Sequence, residues 1–218
     1  LVTPLPPPTN GAQAVSIYST DQGVYVFGGT VEGQASAQNS YLDYDSMTWT
    51  PRTDVPTPCG GPRTVAAEAE FVYLGPCPLA GVNPDDQNLL SIYNLNDDIW
   101  EEVALPQSGL RLIGVSGGDV IFADDTRVTI FNGSDFSVGD VGTGVPGADQ
   151  VLLLGDQLFA VGTDEESGML RIRKRQDLLT AEWDELIEPT IEAKPINGGS
   201  ITFSGNAQFL LVTSDLEI

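Results

Sequence analysis

The feature that most constrains this chain is a short apolar segment that recurs five times. VYVFGGT (24–30), FVYLGPC (71–77), DVIFADD (119–125), QLFAVGT (157–163) and QFLLVTS (208–214) start 38 to 51 residues apart. Each follows another short apolar run after a turn: AVSIYSTDQG, TVAAEAE, LRLIGVSGGD, VLLLGDQ and SITFSGNAQ. The turns STDQG, SGGD, GDQ and SGN carry the Gly, Asp and Asn that tight hairpins select. A third run follows in most units: SYLDYDSMTWT, LLSIYNLNDDIW, RVTIFNGSDF and MLRIRKR. None of these runs approaches the ~20 consecutive apolar positions of a membrane helix. The only stretch of helical composition is LLTAEWDELIE (178–188), whose Thr, Trp and Ile equally suit a final strand.

Units of ~40–50 residues, each made of several short antiparallel strands, are the signature of propeller blades. A sandwich, the other all-β assignment, does not predict a recurrence of this length. The expectation is therefore an all-β domain over 1–218, a β-propeller of five short antiparallel blades. Its units run about 11–56, 57–106, 107–145, 146–194 and 195–218, the last joined by 1–10. The opening LVTPLPPPTN resembles the tail of an outer strand, so the N-terminus is expected to supply the missing strand and close the ring. A fragment of a six- or seven-bladed propeller is the alternative. Leu1 is not an initiator Met, which makes the chain a processed mature protein or an excerpt. Pro-rich joints at 51–62, 105–107 and 189–195 fit connections between blades.

Two units carry a further pattern. The first has Gly28-Gly29 at the end of its second run, then Tyr44 and Trp49; the second has Gly75, then Tyr93 and Trp100. This resembles the Kelch repeat, with its double glycine followed by a Tyr and a Trp around the turn joining the last two strands. The resemblance covers about the first 105 residues. The third unit has Phe131 and Phe136 in place of Tyr and Trp, the fourth keeps Gly162 and Trp183, and the fifth lacks both marks. The resemblance implies an interaction platform. A glycine at the end of the second strand suits a place where neighbouring blades crowd, and the aromatics suit packing between blades.

Cys59 and Cys77 are the only cysteines among 218 residues. In a hairpin centred near Glu68 they face each other at the separation a disulfide requires. Two buried thiols are the alternative. Closing the 17 intervening residues would contribute roughly 3 kcal/mol in the chain-entropy model. Asn132-Gly133-Ser134 is an N-glycosylation triplet. With the acidic composition, these features point to a secreted or extracellular protein.

There are 31 acids against 9 bases, a net charge of −22, which repels phosphate and anionic lipid and argues against nucleic-acid binding. Histidine is absent, which excludes Ser-His-Asp and Cys-His catalysis and His-ligated zinc or copper. Copper oxidases that share the propeller are excluded on the same ground.

The loops between second and third strands gather on one face in propellers of this kind. They hold Glu32, Asp85, Asp86, Asp124, Asp125, Asp164, Glu165 and Glu166, with Asp215 in the fifth unit. Converging carboxylates would draw in a basic partner, and Asp85, Asp86, Asp124, Asp125 and Asp164 are candidate Ca²⁺ ligands. Solvated charge on an acidic protein is the plain alternative. Asn94, Asn96 and Asp98 alternate, but in an ordinary strand turn. Ser19-x-Asp21-x-Gly23 resembles part of an Asp-box yet falls in a different turn. Arg171, Arg173 and Arg175 share one face of a strand, either as a docking stripe for an acidic partner or another copy, or as an outer strand paired with neighbouring acids. The functional expectation is a non-enzymatic extracellular recognition or assembly module that binds a protein partner through its acidic face, with no cofactor beyond Ca²⁺. The alternatives are a carbohydrate-binding lectin and a glycosidase-like propeller that uses two carboxylates.

Overall fold

The structure, a computed structural model, describes residues 13–77, 88–124, 127–140, 148–154, 157–163, 170–175, 184–187, 200–204 and 208–212. It is all-β. The first sheet holds β1 (Ser16–Ser19), β2 (Gly23–Phe27), β5 (Asn39–Asp43) and β6 (Thr48–Arg52) in that order. A two-stranded hairpin, β3 (Thr30–Val31) and β4 (Gln34–Ala35), rises from the β2–β5 connection. The second sheet holds β7 (Val65–Glu68), β8 (Phe71–Leu74), β9 (Leu89–Asn94) and β10 (Ile99–Ala104). The third holds β11 (Arg111–Ser116), β12 (Asp119–Ala123), β13 (Arg127–Phe131) and β14 (Phe136–Asp140). The fourth holds β15 (Ala148–Leu154), β16 (Gln157–Thr163), β17 (Leu170–Arg175) and β18 (Asp184–Ile187). β19 (Ser200–Ser204) and β20 (Gln208–Val212) form a last pair. All the registered pairs are antiparallel.

The chain forms two compact units, Leu1–Gly118 and Asp119–Ile218. In the first, β7 lies beside both β1 and β11. The core there joins Tyr25, Phe27, Val55, Val72, Leu74 and Tyr93. Phe27 meets Tyr93 and Trp100 edge-on at 5.9 and 5.7 Å between ring centroids, so the aromatic edges of one sheet meet the faces of the next. In the second unit Val120, Ile121, Phe122, Ala123, Val128, Ile130 and Phe131 are all buried. Middle strands read as near-continuous apolar runs because both of their faces are covered, as with Val72, Tyr73 and Leu74. The N-terminal stretch expected to close a ring, residues 1–10, lies outside the described residues.

The glycines that end second strands stand where backbone comes close. A Cβ on Gly29, whose φ is +91°, would meet the Gln13 carbonyl oxygen at 2.6 Å. One on Gly75 would meet Leu112 Cβ, on β11, at 2.8 Å. The aromatics expected to pack between blades differ in the first sheet, where Tyr44 is exposed. Register sets Tyr93 opposite Trp100 and Phe131 opposite Phe136, but Leu42, not Tyr44, opposite Trp49. Tyr44 lies one step past the strand end and is exposed, its hydroxyl 3.2 Å from Ser19 Oγ. Of the helical-looking stretch, 184–187 is strand β18, and 178–183 and 188 lie outside the described residues.

The disulfide Cys59–Cys77 is present, with Cα atoms 5.7 Å apart. Its setting corrects the facing-pair geometry. The hairpin turns at Ala69 and Glu70, so Val65 opposes Leu74 and Glu68 opposes Phe71. That register is shifted by three residues from one that would set the cysteines opposite each other. Both lie beyond the strand ends, and bends at Gly60 and Gly61 carry Cys59 back to its partner.

Candidate functional site

The two sheets fully within the first unit share two ends, and each end presents different chemistry. Arg63 N–H, just before β7, donates to Ser16 Oγ at the start of β1 at 2.8 Å, so the two first strands start side by side. The long β2–β5 and β8–β9 connections therefore leave from one end, and the short turns at 20–22, 44–47, 69–70 and 95–98 gather at the other.

At the loop end, Glu32 sits exposed at the tip of the β3–β4 hairpin, with a φ of +51°. Thr30 Oγ1 donates to the Gly60 carbonyl at 2.7 Å and ties this hairpin to the segment that carries Cys59. Asp124 is half-buried directly after β12. Asp85, Asp86, Asp125, Asp164, Glu165, Glu166 and Asp215 lie outside the described residues. Among the described residues no three carboxylate or thiol groups are placed to hold a metal ion. Arg171, Arg173 and Arg175 lie on β17, opposite Gly162, Ala160 and Leu158 of β16. That strand is the third of four, with β18 outside it, which corrects the outer-strand placement; Glu185 of β18 is the register partner of Arg173. Asn132, in the β13–β14 turn, is exposed, and its side-chain oxygen accepts from Ser134 N–H, Ser134 Oγ and Asp135 N–H. Asn94 similarly caps its own turn, accepting from the Asn96 and Asp97 amides, while Asp98 points elsewhere.

Beneath the loop end, Arg63 is buried, and its guanidinium donates to the carbonyls of Gly75, Leu74 (2.9 Å) and Leu89 (3.2 Å). Burial pulls its pKa down to about 10, against the opposing pull of Glu102, so it stays charged at neutral pH.

At the turn end an open cleft of about 590 Å³ lies between the two sheets, with Tyr18, Tyr25, Tyr41, Arg52, Asp21 and Asp43 along its walls. Register puts Tyr18 opposite Tyr25 and Tyr25 opposite Tyr41, so one residue type crosses three neighbouring strands in a row. Their ring centroids are 6.4 and 4.5 Å apart. Arg52 lies with its guanidinium carbon 5.5 Å from the Tyr41 ring centre, and its buried Nε has no hydrogen-bond partner. Burial raises the phenol pKa of Tyr25 and of Tyr41; Arg52 opposes the shift in both, and Asp43 adds to it in Tyr41. Hydrogen bonds from the Ser46 amide and hydroxyl hold Asp43 below the ordinary carboxylate range.

The wall behind the cleft is held by Asp98. Its Oδ1 accepts from the Tyr93 hydroxyl at 2.5 Å and from the Thr53 amide at 2.9 Å, bridging the two sheets. Trp100 Nε1 and Asn39 Nδ2 both donate to the Thr53 carbonyl. Burial pushes Asp98 upward, but the bonds from Tyr93 and Thr53 and the charge of Arg52 outweigh it and leave the pKa lowered. Sequence reasoning picked out neither the tyrosine row nor Arg52, Arg63 and Asp98 in these roles. The signal was present only within each strand, and cross-strand register is needed to join residues 18, 25 and 41.

No family model matches the chain, and no curated protein sequence does. Among solved structures, one titled "Structure of YjhT" aligns over 92% of this chain and 72% of its own, with a TM-score of 0.59 and 16% sequence identity. At that identity the likeness is one of fold.

Proposed function

We propose that the chain is a Kelch-like β-propeller of five short blades, closed through its N-terminal segment, that serves as a non-enzymatic extracellular recognition or assembly module. It binds a protein partner of basic character through the acidic end of its sheets. The observation that carries this reading is the shared direction of the long β2–β5 and β8–β9 connections, with Glu32 exposed at the tip of the first, in a chain of net charge −22. Four-stranded antiparallel sheets in sequence order, with β7 between β1 and β11, support the propeller reading. The disulfide is the chemistry of an oxidising compartment, and the exposed Asn132 turn suits a glycan.

The test uses a decalysine peptide as the basic probe and the intact chain. Binding is expected to weaken at least about tenfold when Glu32, Asp85 and Asp86 are all changed to Lys, and to fall steeply with salt. Changing Asp21, Asp45 and Asp97 at the turn end to Lys alters net charge equally and should cost far less. Equal losses from the two triple variants would reduce the acidic face to diffuse surface charge.

A further inference from the structure

The turn-end cleft has unspent hydrogen-bonding capacity. The hydroxyls of Tyr18, Tyr25 and Tyr41 bond to no described residue, in contrast to those of Tyr44 and Tyr93. Arg52 offers its guanidinium, and Asp21 and Asp43 offer carboxylates, on the same walls. We propose that this cleft, lined by the Tyr18–Tyr25–Tyr41 row and Arg52, binds a neutral oligosaccharide. The site is independent of the acidic face, which lies at the opposite end of the same sheets.

The chemistry narrows the ligand by elimination of charge and by donor count. An anion would meet Asp21 and Asp43 as well as the field of a chain at −22. A cation, though drawn by Asp21, Asp43 and that field, would find the Tyr41 ring face already taken by Arg52. A neutral ligand avoids both. The walls hold phenol groups that donate and accept, a guanidinium that only donates and carboxylates that only accept. A sugar hydroxyl does both, so one ligand class can satisfy all three. Tyrosine adds an apolar body beside its polar tip, which suits the C–H faces of a pyranose ring. Strands about 4.8 Å apart carry the row over about 10 Å, longer than a single sugar ring.

The intact protein would be titrated calorimetrically with cellotriose, maltotriose, laminaritriose and mannotriose, each to about 10 mM, a limit that captures millimolar affinity. At least one should bind. Tyr18→Phe and Tyr41→Phe remove one hydroxyl each and keep the ring, and each should weaken that binding about three- to tenfold. Arg52→Gln should do the same, while Tyr44→Phe, outside the cleft, should leave it unchanged. Near-ultraviolet circular dichroism checks that the variants keep the native packing. Failure of all four sugars to bind overturns the proposal, as does binding that Tyr18→Phe and Tyr41→Phe leave intact. Binding of sialyllactose or of a trimethyllysine peptide with none of the neutral sugars overturns it in favour of a charged ligand. None of these outcomes bears on decalysine binding at the other end.

Discussion

Arg63 is only 7% exposed, yet it carries a full charge with no carboxylate among its hydrogen-bond partners. What stabilises it is a set of backbone carbonyls at the ends of β8 and β9. Arg63→Met would fill the volume but leave Leu74, Gly75 and Leu89 without that donor. The expected loss is about 3 kcal/mol or more, read as a lower urea midpoint at unchanged slope. Arg63→Lys should recover only part of it, because an ammonium on a single stem lacks the fork that reaches several carbonyls. Asp98 makes a different contribution. Its folded pKa is lowered, so its stabilisation is present above the unfolded value of about 4 and is lost as pH falls through the folded value. Asp98→Asn should therefore be less stable than the native chain at pH 7, with the gap closing below about pH 4. Urea midpoints measured across that range give the comparison, and a gap that stays constant would remove Asp98 ionisation from the account.

At the scale of elements, the disulfide fastens the β7–β8 hairpin from beyond its ends. Cys59 and Cys77, 18 residues apart in sequence, restrict the unfolded chain. The double change to Ala should lower stability by about 3 kcal/mol in denaturant, matched by reduction of the native protein. The cystine was legible in the spacing, but its register was not, because the hairpin turns at 69–70 and the chain bends at Gly60 and Gly61 before β7 begins. The strands themselves were legible from recurring short apolar runs and from Gly, Asp and Asn at turns. Tyr44 was expected to pack between blades but is exposed, because it belongs to the β5–β6 turn at residues 44–47. The tyrosine row was hidden for a related reason. Tyr18, Tyr25 and Tyr41 each look like an ordinary strand aromatic until register brings them into line. Arg63 was hidden because its acceptors are main-chain oxygens, which leave no trace in residue identity.

For the whole molecule, the strand order in each four-stranded sheet follows the order of the chain, apart from the small β3–β4 hairpin inserted into the first. Every ladder among the described residues thus joins segments that are near neighbours in sequence, and the chain closes only short loops before each of these contacts forms. Such local connectivity favours rapid folding for an all-β protein and exposes few unpaired edges for long. It also suits synthesis from one end. As the polypeptide leaves the ribosome, each of the four four-stranded sheets finds all its partners within a stretch of about 40 residues, and only the β19–β20 pair waits for the proposed N-terminal closure. Assembly of those four sheets can then proceed one at a time behind the growing end, so that they are built in the order in which they are translated.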